Sequence, residues 1–525
     1  MTFRQYPSTV TAPHTGLRQD IRSPRRPSSK TLVWALLLVV GALLVVIAWA
    51  TASPPGSSPD EDFHLASIWC PTPLDGSCDT RIAEGELQPG ESRTQVLVPQ
   101  VVLASAICTA FHPENSGACV DDLTNNLYWT GRVDNGLYPG GFYDVMHWFV
   151  GPDVQASVTT MRIANGVLAI ALFTATALLL PRPSRRLVTY GYLAVSVPMA
   201  TYLIASINPS GWAFTGVAVA WAGMHGFVTQ PHRRRRYALA GLALVGALIG
   251  ALARADAGAY LGVAAAGIVA LHFRSVKEKL WIVALPAAVT FIGLIGFLSA
   301  SQTDALGGMA GTTGPGDGDL LFSNVLALPQ LLIGAQAEAL NWVDTPVPAI
   351  VWVPGVLLAG ALALFGMRSV ELPKGLALFG LVSVYVVLPV LLLQRSGMWV
   401  GVEVQARYIA PLVPVIMATA LWNPSSRGTF RLTVPQTILA YLTLVVGNSV
   451  MLHVQIRRFV TGLDVHGLNL SRYVEWWASP ISPMFTWLLG SLGFAMLAAA
   501  LFLVRRPDTA GSAQPEIERP AFAEA

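Results

Sequence analysis

The sequence predicts an all-α polytopic membrane protein with about 12 transmembrane helices. Of the 525 residues, 53% are hydrophobic and only 12% are charged, and the mean hydropathy is +0.53. A soluble domain averages about 25% charged residues, so about half of the usual surface charge is missing. This composition excludes a nucleic-acid-binding protein with a broad basic face, as well as a disordered or collagenous chain. We expect residues 32–505 to form one multi-span domain in the cell membrane.

Apolar runs of about 17 to 25 residues mark the expected spans, because a helix of that length crosses the hydrocarbon core of a bilayer. The twelve runs are 32–51, 162–181, 187–207, 212–230, 237–253, 257–273, 280–299, 347–366, 375–394, 408–422, 432–452 and 481–504. If the connections between these runs are numbered in chain order, Lys and Arg clusters occupy every even-numbered one. These clusters lie at 182–186, 233–236, 274–279, 368–374 and 427–431. By the positive-inside rule, these connections and both termini face the cytoplasm.

The two ends of the chain are expected to be disordered cytoplasmic tails. Residues 1–31 and 506–525 are rich in Pro, Ser, Arg or Glu and lack apolar periodicity. The first span is followed by Ala50-Thr51-Ala52, which has the small-residue spacing of a signal-peptide cleavage site. Its apolar run exceeds the roughly 7 to 15 residues of a signal peptide, which favours a retained anchor over a cleaved signal.

A long connection, residues 52–156, predicts a folded extracytoplasmic first loop. It carries 14 of the 30 acidic residues against three arginines, and it carries all four cysteines. An even number of closely spaced cysteines in an exported loop indicates disulfides, and short separation favours Cys70 with Cys78 and Cys108 with Cys119. Other pairings and free buried thiols are the alternatives. Zinc is disfavoured because seven and ten intervening residues match no common zinc motif.

The start of this loop holds the candidate catalytic residues. Pro59 is followed by Asp60, Glu61 and Asp62, and His64 comes two residues later. One explanation is the first turn of a short helix, where carboxylates complement the positive helix end. The other is an active site at the membrane surface. A helix places Asp60 and His64 on one face with Glu61 beside them, and a carboxylate near an apolar floor suits a general base.

Arginines at the predicted outer boundary run against the charge trend of the other connections. Arg254 precedes Asp256 in the connection between the fifth and sixth spans, and Arg407 follows Glu403 by one helical turn. An intramolecular ion pair within either couple would explain the arginine. The alternative is a phosphate clamp, for which the planar guanidinium fork is well suited.

One apolar segment inside the first loop, residues 96–111, is expected to lie on the membrane or dip into it. A crossing at this point would invert every later loop and break the agreement with the positive-inside rule.

Four short motifs occur in a fixed order along the chain. They are Pro59-Asp60-Glu61 with His64, Tyr138-Pro139 before Tyr143, Asn208-Pro209 after the third span, and Gln405-Ala406-Arg407-Tyr408 leading to Pro411 and Pro414. In their order along the chain, and in the side of the membrane that they are expected to face, they resemble the domain of unknown function 2142 family of bacterial membrane proteins. The resemblance covers roughly residues 30–505. That family is similar to glycosyltransferases of the GT-C fold, which take sugars from polyprenyl-phosphate carriers on the exported side of the membrane.

The resemblance implies a GT-C-like membrane domain that moves a sugar from a polyprenyl-phosphate donor to a cell-envelope glycan or lipid acceptor. A polyprenyl phosphate leaves without protonation, so one base for the acceptor hydroxyl and one cationic clamp suffice. Asp60 or Glu61 would be the base, with His64 nearby, and Arg407, with Arg254, the clamp. The other implied substrate-binding residues are Asp62, Asn208, Glu403 and Tyr408. The sequence indicates no metal ligands, although a divalent metal is compatible with this chemistry.

A transporter or lipid flippase is the rival function, and a non-catalytic partner in envelope assembly is a third. Transporters often have two related halves and ionisable groups at mid-membrane. Here the apolar runs are nearly free of charge and the ionisable residues crowd the outer boundary, which favours glycosyl transfer. The expected partners are the lipid-linked donor, the envelope acceptor and membrane lipids, without nucleic acid.

Overall fold

The computed structural model describes residues 29–87, 90–301, 318–401, 404–423 and 432–502. The predicted tails, apart from residues 29–31, and the candidate Glu403 lie outside these ranges. The α-helices of the described residues are α1 (Ser29–Ala50), α2 (Glu61–Trp69), α3 (Leu74–Ser77), α4 (Gln100–Thr109), α5 (Gly141–His147), α6 (Val154–Leu179), α7 (Arg182–Leu193), α8 (Met199–Ile204), α9 (Pro209–Thr229), α10 (Arg233–Ala253), α11 (Ala255–Leu271), α12 (Phe273–Glu278), α13 (Ala284–Leu298), α14 (Gly318–Leu332), α15 (Gly334–Ala337), α16 (Ala349–Gly366), α17 (Leu372–Ser396), α18 (Ala406–Ile409), α19 (Leu412–Leu421), α20 (Val434–Val460) and α21 (Pro483–Phe502).

Eight of the twelve predicted spans correspond to helices that are long and apolar enough to cross a membrane. They are Val33–Ala50, Val154–Leu179, Arg233–Ala253, Leu280–Leu298, Ala349–Gly366, Leu372–Ser396, Val434–Val460 and Pro483–Phe502. The count of twelve is therefore not confirmed for the described residues. The second span begins at Val154, eight residues before the predicted start.

The other four predicted spans do not form helices that are both long and apolar enough to cross a membrane, and the physical reasons differ. The run 187–207 is broken between α7 and α8 around Pro198, because proline removes a helical hydrogen bond. The run 408–422 is divided between α18 and α19 at Pro411. The run 257–273 forms the 17-residue α11, and 212–230 forms α9, in which Gly, Trp and His225 lower the apolar character.

Helix α9 is the central helix of the bundle. Every residue from Pro209 to Phe227 is buried, and α9 contacts α6, α7, α8, α10, α11 and α19. Its closest approach is to α10, where a Cβ added to Gly216 would lie 2.5 Å from the Gly250 nitrogen and 2.6 Å from the Gly246 oxygen. Small residues let membrane helices approach this closely, so these glycines set the spacing of the pair. Because protein surrounds α9, it does not need the hydropathy of a lipid-facing helix.

The connection between α1 and α6 is folded, and both favoured cysteine pairings are confirmed. Disulfides join Cys70 to Cys78 and Cys108 to Cys119. Three antiparallel strands, β1 (Thr80–Ile82), β2 (Thr94–Pro99) and β3 (Leu127–Thr130), form a sheet in that order, with Val96 opposite Thr80 and Thr130. The apolar segment 96–111 is divided between β2 and the ten-residue α4. A helix of that length spans about 15 Å, half of a bilayer core, so it does not cross.

Candidate functional site

The turn that follows α1 is built around one buried arginine. Arg162, on the third turn of α6, is 1% exposed and lies 2.9 Å from the Glu61 carboxylate. It also donates to the carbonyl oxygens of Ser53 and Pro54, at 2.7 and 2.9 Å, and to the Ser57 hydroxyl at 3.0 Å. These bonds fix the path from α1 to α2, and so they set the position of the candidate acids.

Glu61 is enclosed by this network. Its side chain has no exposed surface, and Oε2 accepts hydrogen bonds from Arg162 and, at 2.6 Å, from the backbone N–H of Ser58. Glu61 therefore does not lie beside Asp60 and His64 on an open face, as the helical spacing had suggested. Of the two acids predicted as candidate bases, Asp60 is therefore the accessible one.

Asp60 caps the N-terminal end of α2 in a left-handed backbone conformation, with φ 58° and ψ 20°. Aspartate is one of the few residues other than glycine that adopt this conformation with some frequency. The Asp60 carbonyl accepts the His64 N–H at 2.9 Å, so the two residues are one turn apart as predicted. The Asp60 side chain is 42% exposed, which makes it the open acid of this cluster.

Arg407, on the short helix α18, contacts Asp60 directly. Its Nη2 donates to Asp60 Oδ2 at 2.9 Å and to the Tyr408 hydroxyl at 3.2 Å, although the arginine itself is only 4% exposed. Within the described ranges, Nε and Nη1 of Arg407 donate to no protein group. Nη1 is therefore left to donate to an anion, whereas Nε is fully buried. Its alternative partner, Glu403, is outside the described residues.

Arg254 lies next to Arg407 but is more fully engaged. Its Nε and Nη2 bind the Asp256 carboxylate at 2.8 to 3.2 Å, which is the ion pair that the sequence suggested as one alternative. The guanidinium carbons of Arg254 and Arg407 lie 4.9 and 5.0 Å from the centre of the Tyr408 ring. Both cations thus share one aromatic ring, whose negative face attracts them. The structure brings the two predicted clamp residues together.

A third arginine, Arg132, completes the charged cluster. It binds Asp62 through two hydrogen bonds of 2.5 and 3.0 Å, and its Nη2 is 3.7 Å from Asp60 Oδ1. The Asp62 carboxylate holds this arginine, and substrate binding by Asp62 stays a prediction. Asp60 therefore lies between Arg132 and Arg407, and this arrangement makes the neighbourhood of the open acid suitable for an anionic ligand.

His64 lies behind the acids in an aromatic environment. It is 1% exposed, its Nδ1 is 3.0 Å from the Tyr143 hydroxyl, and the rings of Tyr138 and Tyr143 are centred 5.6 and 5.9 Å away. Burial lowers the pKa of His64 from 6.5 to about 3, against the opposing effect of Asp60. The imidazole is therefore neutral at physiological pH and contributes a hydrogen bond and packing.

Asn208 connects the start of α9 to the candidate base. Its Oδ1 caps α9 by accepting the Ser210 N–H at 2.9 Å, and its Nδ2 donates to the Pro59 carbonyl at 3.0 Å. The residue is 2% exposed. One hydrogen bond holds the start of α9 and the other holds the residue that precedes Asp60, while substrate binding by Asn208 stays a prediction.

Sequence reasoning missed Arg162 and Arg132 as members of this cluster. Arg162 had a usable signal, because an arginine inside an apolar run needs a buried partner. The predicted span began at residue 162, so the arginine was placed at its end and not inside it. Arg132 had no local signal, since it pairs with an acid 70 residues away in a loop rich in acids. Among the described residues, no group of three His, Cys, Asp or Glu side chains is arranged to hold a metal ion.

Comparison with known proteins gives a family but no activity. No curated protein matches the chain. A family profile described as Predicted membrane protein (DUF2142) matches residues 43–416, a range that includes Asp60, Asn208 and Arg407. Because the match covers more than half of the 525 residues, the chain belongs to the DUF2142 family of predicted membrane proteins.

Proposed function

We propose that the protein is a membrane glycosyltransferase that moves a sugar from a polyprenyl-phosphate donor to a cell-envelope acceptor. The observation that carries the proposal is the contact between the open acid Asp60 and the buried cation Arg407, 2.9 Å apart. A base for a hydroxyl proton and a clamp for a phosphate are the two groups that this reaction needs. The GT-C-like fold and the extracytoplasmic placement of the site belong to the same proposal.

In the proposed reaction, the acceptor hydroxyl attacks the anomeric carbon of the donor sugar. Asp60 takes the hydroxyl proton, a new glycosidic C–O bond forms, and the bond from the anomeric carbon to the phosphate oxygen breaks. The lipid phosphate leaves with the electron pair, and its charge is balanced by Arg407 with support from Arg132 and Arg254. No oxidant, reductant or nucleotide is required.

The ion pair between Asp60 and Arg407 links binding of the donor to activation of the base. Arg407 Nη2 is engaged with Asp60, so a phosphate that binds the guanidinium competes with that carboxylate. Binding would therefore release Asp60 at the moment when a base is needed. Because a free carboxylate is a better proton acceptor than one paired with a cation, this exchange couples donor binding to base activation.

The decisive experiment is transfer by purified protein in lipid nanodiscs, with polyprenyl-phosphate-linked radiolabelled sugars and extracted envelope glycans as acceptors. Asp60→Asn should lower turnover by about 100 to 10,000-fold, the usual effect of losing a general base. Binding of a polyprenyl monophosphate should be unchanged or tighter, because a competing charge is removed. Asp75→Asn, at an exposed acid of the same region, is the matched control and should retain full activity.

Substrate transport is the second candidate, and one observation favours it. Two broken segments, Met199–Ile204 and Ala406–Ile409, meet near Arg407, and broken helices often line transporter sites. A transporter would form no glycosylated product with purified components but would move lipid-linked sugar between leaflets. Full transferase activity in Asp60→Asn would refute the proposed base, and absence of product with every donor would favour transport.

A further inference from the structure

A small cavity lies beside Arg407 and Pro59, the residue that precedes Asp60. Its walls come from α8, from the segment after α15, and from the residues around Pro59 and Arg407. The space open to the centre of a water molecule is about 10 Å³, which corresponds to a single water. The cavity is therefore too small for a sugar or a phosphate, but it is large enough for one hydroxyl-sized group.

Three buried polar atoms without hydrogen-bond partners belong to side chains on these walls. They are the Tyr202 hydroxyl, Oε1 of Gln405 and Nε of Arg407, and no described residue bonds to any of them. Tyr202 and Arg407 are each only 4% exposed. Unpaired buried polar atoms are rare and costly, so three of them around one cavity need a common explanation.

The three atoms have complementary hydrogen-bonding roles. The Arg407 N–H only donates, the Gln405 carbonyl oxygen only accepts, and the Tyr202 hydroxyl does either. One water molecule accepts from the first, donates to the second and bonds to the third. We propose that the cavity binds one structural water that links Tyr202 and Gln405 to Arg407 Nε, which makes both residues positioning residues for the phosphate clamp. The positioning role rests on the proposed function, whereas the water site does not.

The charge of Arg407 decides against a cation in this space, which leaves water or a substrate hydroxyl. A fourth wall residue, Glu338, already accepts the Ala406 N–H through Oε1 at 2.8 Å, and burial raises its pKa. Glu338 and Arg407 both line the cavity, and Asp60 binds Nη2 of that arginine. The water would therefore hold Nε, on the same edge of the guanidinium as the Nη2 that binds Asp60.

The first test is a structure of the lipid-free protein at a resolution that shows buried waters. A density peak within about 2.7 to 3.2 Å of all three atoms would support the proposal. A dry cavity, or rotation of Gln405 to bond Tyr202 directly, would overturn it. A second structure with a bound polyprenyl-phosphate-linked sugar separates the sources: a peak present only in that complex would assign the site to a sugar hydroxyl instead of water.

The second test uses the sign of a stability change. Tyr202→Phe removes a hydroxyl that has no protein partner, so in a dry cavity it should leave the melting temperature unchanged or raise it. If the hydroxyl bonds a water, Tyr202→Phe should lower the melting temperature by about 1 to 2 °C, the effect of one hydrogen bond in a large chain. Tyr192→Phe is the control, because that buried hydroxyl donates to the Ala218 carbonyl at 2.6 Å and its loss must destabilise.

The positioning role has its own readout. Gln405→Leu and Tyr202→Phe should each weaken polyprenyl monophosphate binding by about 3 to 10-fold. Gln405→Glu, which keeps the acceptor oxygen, should restore most of the affinity that Gln405→Leu loses. If both variants bind the lipid like the wild type while the water is visible, the water is structural only and the positioning role is wrong. If the wild-type protein itself does not bind the lipid, the proposed function fails and the water site still stands on its density.

Discussion

Neighbouring acids at the start of one helix form two very different ion pairs. Glu61 and Arg162 are 0% and 1% exposed, and the arginine also holds the backbone between α1 and α2. Asp60 is 42% exposed, and its partner Arg407 keeps donors unused by the described protein groups. The pairs share the same chemistry but have opposite accessibility. Because Nε of Arg162 also lacks a partner among the described residues, the two pairs differ in the exposure of the acid and not in a spare donor.

The largest expected effect comes from breaking the closed pair. Arg162→Met leaves the Glu61 carboxylate buried without its cation, and removing one partner of a buried pair typically costs about 3 to 5 kcal/mol. We expect a large fall in melting temperature in detergent, measured by intrinsic fluorescence. Asp60→Asn should lower the melting temperature much less, because the asparagine oxygen still accepts from Arg407 and the side chain at this position is 42% exposed.

An exposed pair provides the control for that experiment. Arg274 and Glu371 are 3.4 Å apart, but the arginine side chain is 78% exposed. Such surface pairs contribute about 0 to 1 kcal/mol, so Arg274→Met should leave stability almost unchanged. Equal losses in Arg162→Met and Asp60→Asn would contradict the distinction between a closed structural pair and an open one.

The next effect concerns donor binding by the open pair. Arg407→Ala should weaken binding of a polyprenyl monophosphate by about 10 to 100-fold, because a charged hydrogen bond is worth about 1.5 to 3 kcal/mol. Arg407→Lys should recover only part of this loss, since a point charge does not reproduce the guanidinium fork. Binding is measured by titrating the lipid into nanodiscs. Unchanged affinity in Arg407→Ala would remove the clamp from the proposal.

The sequence was informative where the relevant physics is local. Disulfide pairing followed from short separations, and Asp60 and Arg407 stood out because charged residues next to apolar runs are rare. The breaks at Pro198 and Pro411 were also local, but hydropathy averaged over a span does not register one missing hydrogen bond. The separation of Glu61 from Asp60 depended instead on Arg162, about 100 residues away, and no short-range pattern encodes that choice.

The third effect is a dependence of stability on pH. It comes from Asp134, a buried acid of the first loop. Burial raises the pKa of Asp134 from 3.8 to about 6, although the backbone N–H groups of Leu137 and Tyr138 oppose this by bonding its carboxylate. The folded protein therefore holds a proton that the unfolded chain has released. Stability should fall as the pH rises from about 4 to about 6 and then level off, by up to about 3 kcal/mol.

The comparison of Asp134→Asn with the wild type isolates this effect. Asparagine keeps an acceptor for the two N–H groups but does not titrate, so the variant should lack the loss between pH 4 and 6 and melt at a higher temperature at pH 7. His64 acts in the other direction, because its lowered pKa makes stability fall as the pH drops below about 6.5. Parallel melting curves of the two proteins across this range would exclude the assignment to Asp134.

The smallest effect separates the two hydrogen bonds of Asn208, which caps α9 and holds Pro59 beside the open acid. Asn208→Ala loses both and should cost about 1 kcal/mol of stability, typical of a lost helix cap. Asn208→Ser keeps a capping oxygen but loses the donor to Pro59, so it should melt like the wild type while turnover falls several-fold through displacement of Asp60. Melting temperature and turnover in the same nanodiscs measure the two roles. If Asn208→Ser raises only the KM for one substrate, with turnover at saturation unchanged, Asn208 binds that substrate directly and the positional role is wrong.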